Sequence, residues 1–467
     1  MSTPKAIETM PPLWARDLLS DPSRTVDEVY ATAGYLKEPL REVDELLRRD
    51  PHGFIRVWLT AYRERSPCGL RNPVLWGLTR TLSVFAHSAL IPIDIEVADT
   101  RYRPSKPWLN LLDAGLCSLC LEAVSSEDFF NEFSNWVLDM MKVMEAILGC
   151  FQAGPRFMQE KSRLCDDICE LALGVWERCS THRDIFIDGN RLERAAPGVP
   201  RQLRMLLRNM LGSYLHAKRD VLTYHPDSPE FLSTRELYLM CWFYRDEPWR
   251  DAFEMLGTVV FASLIEEHDE LRRFIEQEVF LKYGAESYLK RLTVTVETVD
   301  TNDPNCHPLL ASCIALQRTV LTHEGFRPYL LSSGLVRSLC EMVRREGRRQ
   351  NIPPDHAHLH LLIIKSVQGI LSYLTKYVSE CIAALVREHD VLDIIARGIL
   401  TLCSSPLEYV DTLASVEICG VYEDVGRTLA ARSTKNSLRK DYKRRLRREW
   451  YPLLKSLDSV IAQQRIS

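Results

Sequence analysis

The sequence predicts an all-α protein of stacked helix pairs ending in a basic helix, and three observations predict it. Apolar residues recur at helical spacing through most of the 467 residues. A helix-start unit, Leu330-Leu331-Ser332-Ser333-Gly334-Leu335-Val336, returns in looser form at Leu111-Leu112-Asp113-Ala114-Gly115-Leu116-Cys117. No segment carries a strand followed by a phosphate-cradling glycine loop, nor a nucleophile elbow.

The unit has a simple physical logic. A glycine can take the left-handed conformation that ends one helical segment, and the apolar pair after it begins the stripe of the next helix. Superposing the two glycines also aligns Glu122 with Glu341 and Val124 with Val343. A third copy puts Asp390 at the glycine position, with Val391, Leu392, Ile395 and Ile399 matching Leu335, Val336, Leu339 and Val343. One helix pair cannot hide its own stripe, so such units stack into armadillo- or HEAT-like solenoids whose grooves bind extended partners. The copies are unevenly spaced, which makes the period degenerate.

In chain order, helices are expected over 26–49, 53–63, 73–87, 109–124, 129–150 and 156–179. Joints carrying Pro, Gly, Asn or Asp fall at 99–106, 188–200, 224–234, 300–307 and 346–354. Within 307–326, Leu309, Cys313, Leu316 and Val320 step by four, three and four. The next helix repeats the stripe with Leu335, Leu339 and Met342 beside Val336, Cys340 and Val343. A further helix over 359–378 follows the start signal Pro353-Pro354-Asp355. Two stretches alternate like strands, 91–97 and 292–299. An isolated strand has nothing to pair with, so the first reads as an extended connector and the second as helix.

These elements form one body over 12–430, followed by a basic amphipathic helix over 431–467. Lys435, Arg439, Lys440, Lys443, Arg444, Arg445, Arg447 and Arg448 crowd this tail, while Leu438, Tyr442, Leu446, Trp450, Leu453, Leu457 and Ile461 keep helical spacing. The eight cations are the candidate polyanion-binding residues, for nucleic-acid phosphates or an anionic surface. The bland alternative is a capping helix with a solvated face.

Composition narrows the class. Hydrophobic residues at 46% and charged residues at 26% suit a sizeable core, and the net charge of −4 gives no whole-chain attraction to polyanions. Residues 1–12 do not read as a signal peptide, and the longest apolar runs, such as 255–265, fall short of a membrane span. The 14 cysteines are therefore expected to be reduced, buried thiols of an intracellular protein, cytosolic or nuclear.

Each chemical motif has a packing reading beside it. Cys117 and Cys120 form a C-x-x-C without a second ligand pair, and Cys165 and Cys169 share a helix face; both pairs read as core. His356, His358 and His360 lack an acidic third ligand and read as an exposed helix start. Asp166-Asp167-Ile168-Cys169-Glu170 resembles the aspartate-rich magnesium motif of helical terpene synthases. The second half of that clamp is missing, because Asn302-Asp303 runs into Pro304 with Cys306 and Leu310 at the following ligand positions. Surface carboxylates are the expectation, so no catalytic, cofactor-binding or metal-ligating residue is assigned and no enzyme is expected.

Two segments carry a family likeness: His323-Glu324-Gly325-Phe326 leading into Leu331-Ser332-Ser333-Gly334-Leu335-Val336, and Arg448-Glu449-Trp450-Tyr451-Pro452. They resemble fungal proteins in which an armadillo-like helical region precedes a MYND-type zinc finger. Here the chain ends at Ser467 with no cysteine beyond Cys419, so no zinc ligand carries over. The resemblance implies a helical interaction module without its zinc-binding end. The expected function is a non-enzymatic scaffold for an unidentified protein partner. The alternative is a nucleic-acid or anionic-surface binder acting through the basic tail.

Overall fold

The computed structural model describes residues 50–63, 73–92, 102–131, 134–187, 198–224, 228–244, 272–298, 323–346 and 388. The chain divides into two compact units, Met1–Asp246 and Glu247–Ser467, a division that falls inside the 12–430 stretch. The described residues are all-α apart from one two-stranded ribbon.

In the first unit the helices are α1 (Pro51–Arg63), α2 (Pro73–Ala86), α3 (Lys106–Asp113), α4 (Leu116–Ser125) and α5 (Ser134–Gly149). They continue with α6 (Gly154–Glu160), α7 (Ser162–Thr181), α8 (Val199–Tyr224) and α9 (Pro229–Phe243). Helix α5 lies between α2 and α8 in one row, and α7 lies between α4 and α9 in a second, with α8 also packing on α9. Trp58, Leu82, Leu111, Leu119, Val143, Ile147, Ile168, Trp176, Leu207 and Leu237 are fully or almost fully buried between these helices. The 16 residues of α5 are closed in on nearly all sides, as a helix flanked within a layer and covered from below must be.

Polar ties fix adjacent helices to each other. The last carbonyls of α4 have no partners within their own helix. Arg178 of α7 supplies them, its Nε donating to Val124 O at 3.0 Å and its Nη2 to Ser125 O at 2.7 Å. Tyr62 of α1 donates to Ala123 O at 3.2 Å. Helix α9 begins with Ser228 accepting from Phe231 N–H at 3.1 Å, with Pro229 as its first residue.

The connector expected over 91–97 is corrected in part. Leu90–Pro92 (β1) pairs antiparallel with Tyr102–Pro104 (β2), in the register Leu90↔Pro104, Ile91↔Arg103 and Pro92↔Tyr102. Ser105 N–H donates to Ala89 O at 2.7 Å, and alternation from that bond makes Ile91↔Arg103 the next hydrogen-bonded pair. Pro92 and Pro104 therefore sit where the ladder needs no donor. Two expected helices are also broken. The 109–124 span bends by 60° between α3 and α4, where Gly115 holds φ at 105°. The 156–179 span divides at Lys161, and 129–150 begins with the 3-10 turn Phe129–Asn131.

In the second unit a π-helical segment, Phe274–Phe280, leads through α10 (Leu281–Tyr283) into α11 (Ala285–Thr298). Helix α11 packs against α12 (Leu335–Glu346) and the 3-10 segment Glu324–Tyr329. The alternating 292–299 stretch is helical as expected through Thr298. Leu335, Val336, Leu339, Cys340 and Met342 of α12 are buried, so the stripe read from spacing faces the core. The third copy at Asp390 and the 26–49, 307–322 and 359–378 helices lie outside the described residues.

Both glycines of the helix-start unit take the left-handed conformation, Gly115 at φ 105° and Gly334 at φ 82°, each one residue before a helix. An alanine Cβ would meet nothing within 4 Å at Gly115 and only Thr293 Cγ2 at 3.6 Å at Gly334. The cost of Gly115→Ala or Gly334→Ala is thus backbone strain alone, about 1–2 kcal/mol each, with asparagine recovering part of it. Urea-unfolding midpoints check this, and losses below about 0.5 kcal/mol would mean that the left-handed turn is dispensable.

Candidate functional site

The described surface holds a cleft of about 560 Å³ where the end of α2, the ribbon and the start of α3 meet. Phe85 comes from α2, Ile91 and Arg103 from the ribbon, and Ser105, Lys106 and Leu109 from the start of α3. The geometry follows from the chain. Cross-strand pairing places Ile91 and Arg103 on the same side of the ribbon, while Leu90 and Pro104 take the other. Leu90 reaches back to Gly149, where an added Cβ would stand 2.8 Å from its Cδ1.

Behind the cleft Phe85 rests against Trp108, ring centroids 6.1 Å apart. Ser105 is the N-cap of α3 but makes no side-chain cap bond. Arg103 and Lys106 are exposed, and among the described residues neither has an ion-pair or hydrogen-bond partner. Ile91 stays 39% exposed, which leaves an apolar wall beside two uncommitted cations. The sequence reading placed 99–106 in a joint and missed this site. Its only signal was Arg103 and Lys106 standing either side of Pro104-Ser105.

The residues that sequence reasoning singled out fall elsewhere. Lys435, Arg439, Lys440, Lys443, Arg444, Arg445, Arg447 and Arg448 lie outside the described residues, as do His356, His358, His360 and Asn302-Asp303. Asp166, Asp167 and Glu170 are exposed on α7, the surface carboxylates expected. His323 is a cap: its Nδ1 accepts from Gly325 N–H at 3.2 Å, and its Nε2 lies 3.4 Å from Glu276 Oε1. Among the described residues no group of three His, Cys, Asp or Glu side chains is placed to hold a metal ion.

Of the eight described cysteines seven are buried, and Cys169 is half-buried. Cys117 and Cys120 are buried in α4, and burial pushes both thiols up, away from the thiolate form that ligates metals or attacks disulfides. Burial likewise pushes Cys150 and Cys241 up to about 12 from the ordinary 9.0. Between those limits the unfolded chain releases thiol protons that the folded chain keeps, so stability is fully present below about pH 9 and falls as pH rises toward 12. The melting temperature is therefore expected to decline more steeply above pH 9 in the intact chain than in Cys150→Ala or Cys241→Ala. Equal slopes in parent and variants would remove these thiols as the cause.

Two further polar groups lie in the first unit. Glu145 is pushed up by burial, against the pull of the Asn209 side-chain amide that donates to it and of nearby His87, Arg208 and Lys142. Tyr214 donates to Glu230, and burial and then that carboxylate push its hydroxyl upward. These groups lie against neighbouring helices and bind them together, and neither is among the residues that line the cleft.

No single helix among the described residues is long and apolar enough to cross a membrane. Comparison with known proteins returns no matching family model and no matching curated protein.

Proposed function

We propose that the chain is a non-enzymatic protein–protein interaction scaffold, a helical-repeat body of armadillo-like type that binds a peptide or a domain along its surface. The observation that supports this reading most is the two-row packing of the first unit. Each inner helix of a row meets two row neighbours, the α8–α9 packing joins the rows, and polar ties link adjacent helices, as in a stack of helix pairs. Such a stack spends its apolar stripes on neighbouring helices and leaves one outward face per row for recognition. The shared start units at Gly115 and Gly334 support a degenerate repeat.

The alternative is polyanion binding through the eight cations of 435–448. Salt and deletion separate the two readings, because phosphate contacts release counterions and weaken steeply with salt whereas apolar docking does not. A partner retained by the intact chain is expected to persist in high salt and to survive deletion of 431–467. Capture that vanishes on deletion and collapses with salt would overturn the scaffold reading in favour of the basic tail.

A further inference from the structure

We infer that the cleft between the ribbon and α3 is a docking site for an acidic–apolar peptide segment of a protein partner, an inference that rests on the scaffold reading and names its partner class. The charge argument is direct. Arg103 and Lys106 line the cleft, and among the described residues no acidic side chain lines it and neither cation is neutralised. An occupant carrying carboxylates gains both contacts, and the unused Ser105 hydroxyl adds a third hydrogen-bonding group at the same rim.

The apolar argument is equally local. Phe85, Ile91 and Leu109 line the same space, and about 560 Å³ falls inside the roughly 300–1,000 Å³ range of ligand clefts. Side chains, not strand pairing, carry the recognition. The ribbon is three residues long on each side, and Pro104 deprives the β2 edge of a donor, so an added strand finds little to bond. A segment alternating carboxylates with bulky apolar residues presents the matching pattern, its apolar side chains against Ile91 and Phe85 and its carboxylates at Arg103 and Lys106.

The test uses the full chain on an array of short immobilised peptides with an Asp-Phe-Asp-Leu core in randomised flanks, beside a matched array with Asn-Phe-Asn-Leu. The acidic array is expected to retain the chain on the order of tenfold better at low salt. The double variant Arg103→Glu/Lys106→Glu should lose that preference. Ile91→Ser should weaken retention on both arrays alike, roughly three- to tenfold, with the salt dependence unchanged. All three positions are exposed, so an unchanged melting temperature certifies the fold of each variant.

Equal retention on both arrays, or full retention of the acidic array by the charge-reversed variant, overturns the inference. So does binding of decanoate without peptide binding, which assigns the cleft to a free amphiphile. Binding that emerges only after Asp94→Asn/Glu96→Gln assigns it to the chain's own connector and overturns it too. A cellular partner captured equally by the intact chain and by Arg103→Glu/Lys106→Glu removes the cleft inference and leaves the scaffold reading standing.

Discussion

Thr79→Val is expected to lower the stability of the first unit by about 3–5 kcal/mol, although it changes the shape of the core hardly at all. The Thr79 hydroxyl is fully committed. It accepts from Trp58 Nε1 and from Trp136 Nε1, each at 2.9 Å, and donates to Leu75 O at 2.8 Å. A hydroxyl has one proton and two lone pairs, so all three capacities are used. Thr79 and Trp58 are wholly buried and Trp136 is 4% exposed, so no solvent stands ready to replace the lost acceptor.

Valine leaves two indole N–H groups buried and unpaired. Each such group costs about 1–3 kcal/mol, whereas the loss of one ordinary hydrogen bond costs about 1 kcal/mol. The penalty also spans helices, since Trp58 belongs to α1, Thr79 to α2 and Trp136 to α5. Tyr62 stacks between the two indoles, at 5.0 Å from Trp58 and 6.3 Å from Trp136, so the rings cannot turn toward water without opening the stack. Thr79→Ser, which keeps the hydroxyl, should lose only about 1 kcal/mol for the methyl group. Most of the nine tryptophans precede Asp246, so urea unfolding followed by tryptophan emission reads this unit. A loss below about 1 kcal/mol for the valine variant would show that the hydroxyl is not the acceptor that holds the three helices together.

Helical periodicity made much of this architecture legible. Gly115 and Gly334 mark helix starts because only a residue without Cβ enters their left-handed conformation cheaply, a constraint local enough to leave a sequence mark. The buried face of α12 is equally local, since Leu335, Leu339 and Met342 return on one side every turn. What periodicity cannot supply is the identity of a partner far along the chain. Tyr102–Pro104 pairs with Leu90–Pro92 across an intervening segment, and nothing in either stretch points to the other. The break at Lys161 has no glycine or proline at the turn itself to announce it, although Gly154-Pro155 opens the short helix before it. The same blindness hid Thr79 and Asp139, which look like polar interruptions of apolar stripes until their partners 57 and 59 residues away are known.

Asp139 carries the second large expectation. Its side chain is 3% exposed, and Oδ1 accepts from Arg80 Nη1 at 2.8 Å, Ser83 Oγ at 3.0 Å and Lys142 Nζ at 3.4 Å. Removing one partner of a buried pair costs about 3–5 kcal/mol when the other charge stays buried. Here the cations escape more readily, because the Arg80 side chain is 41% exposed and that of Lys142 27% exposed. That pulls the ionic share down, while the fully buried Ser83 hydroxyl loses its acceptor with no such escape. The expected loss for Asp139→Ala is therefore about 3 kcal/mol, at the lower end of that range. Asp139→Asn keeps an acceptor for Ser83 and Arg80 and removes only the charge, so about half of the loss should return. Moderate salt should narrow the gap between parent and asparagine variant only slightly, since screening reaches a buried carboxylate weakly. If asparagine proves as damaging as alanine, the charge itself and not the acceptor oxygen holds α2 against α5. If neither variant shifts the urea midpoint, this polar tie contributes nothing and the α2–α5 contact rests on apolar packing and the Thr79–Trp136 hydrogen bond.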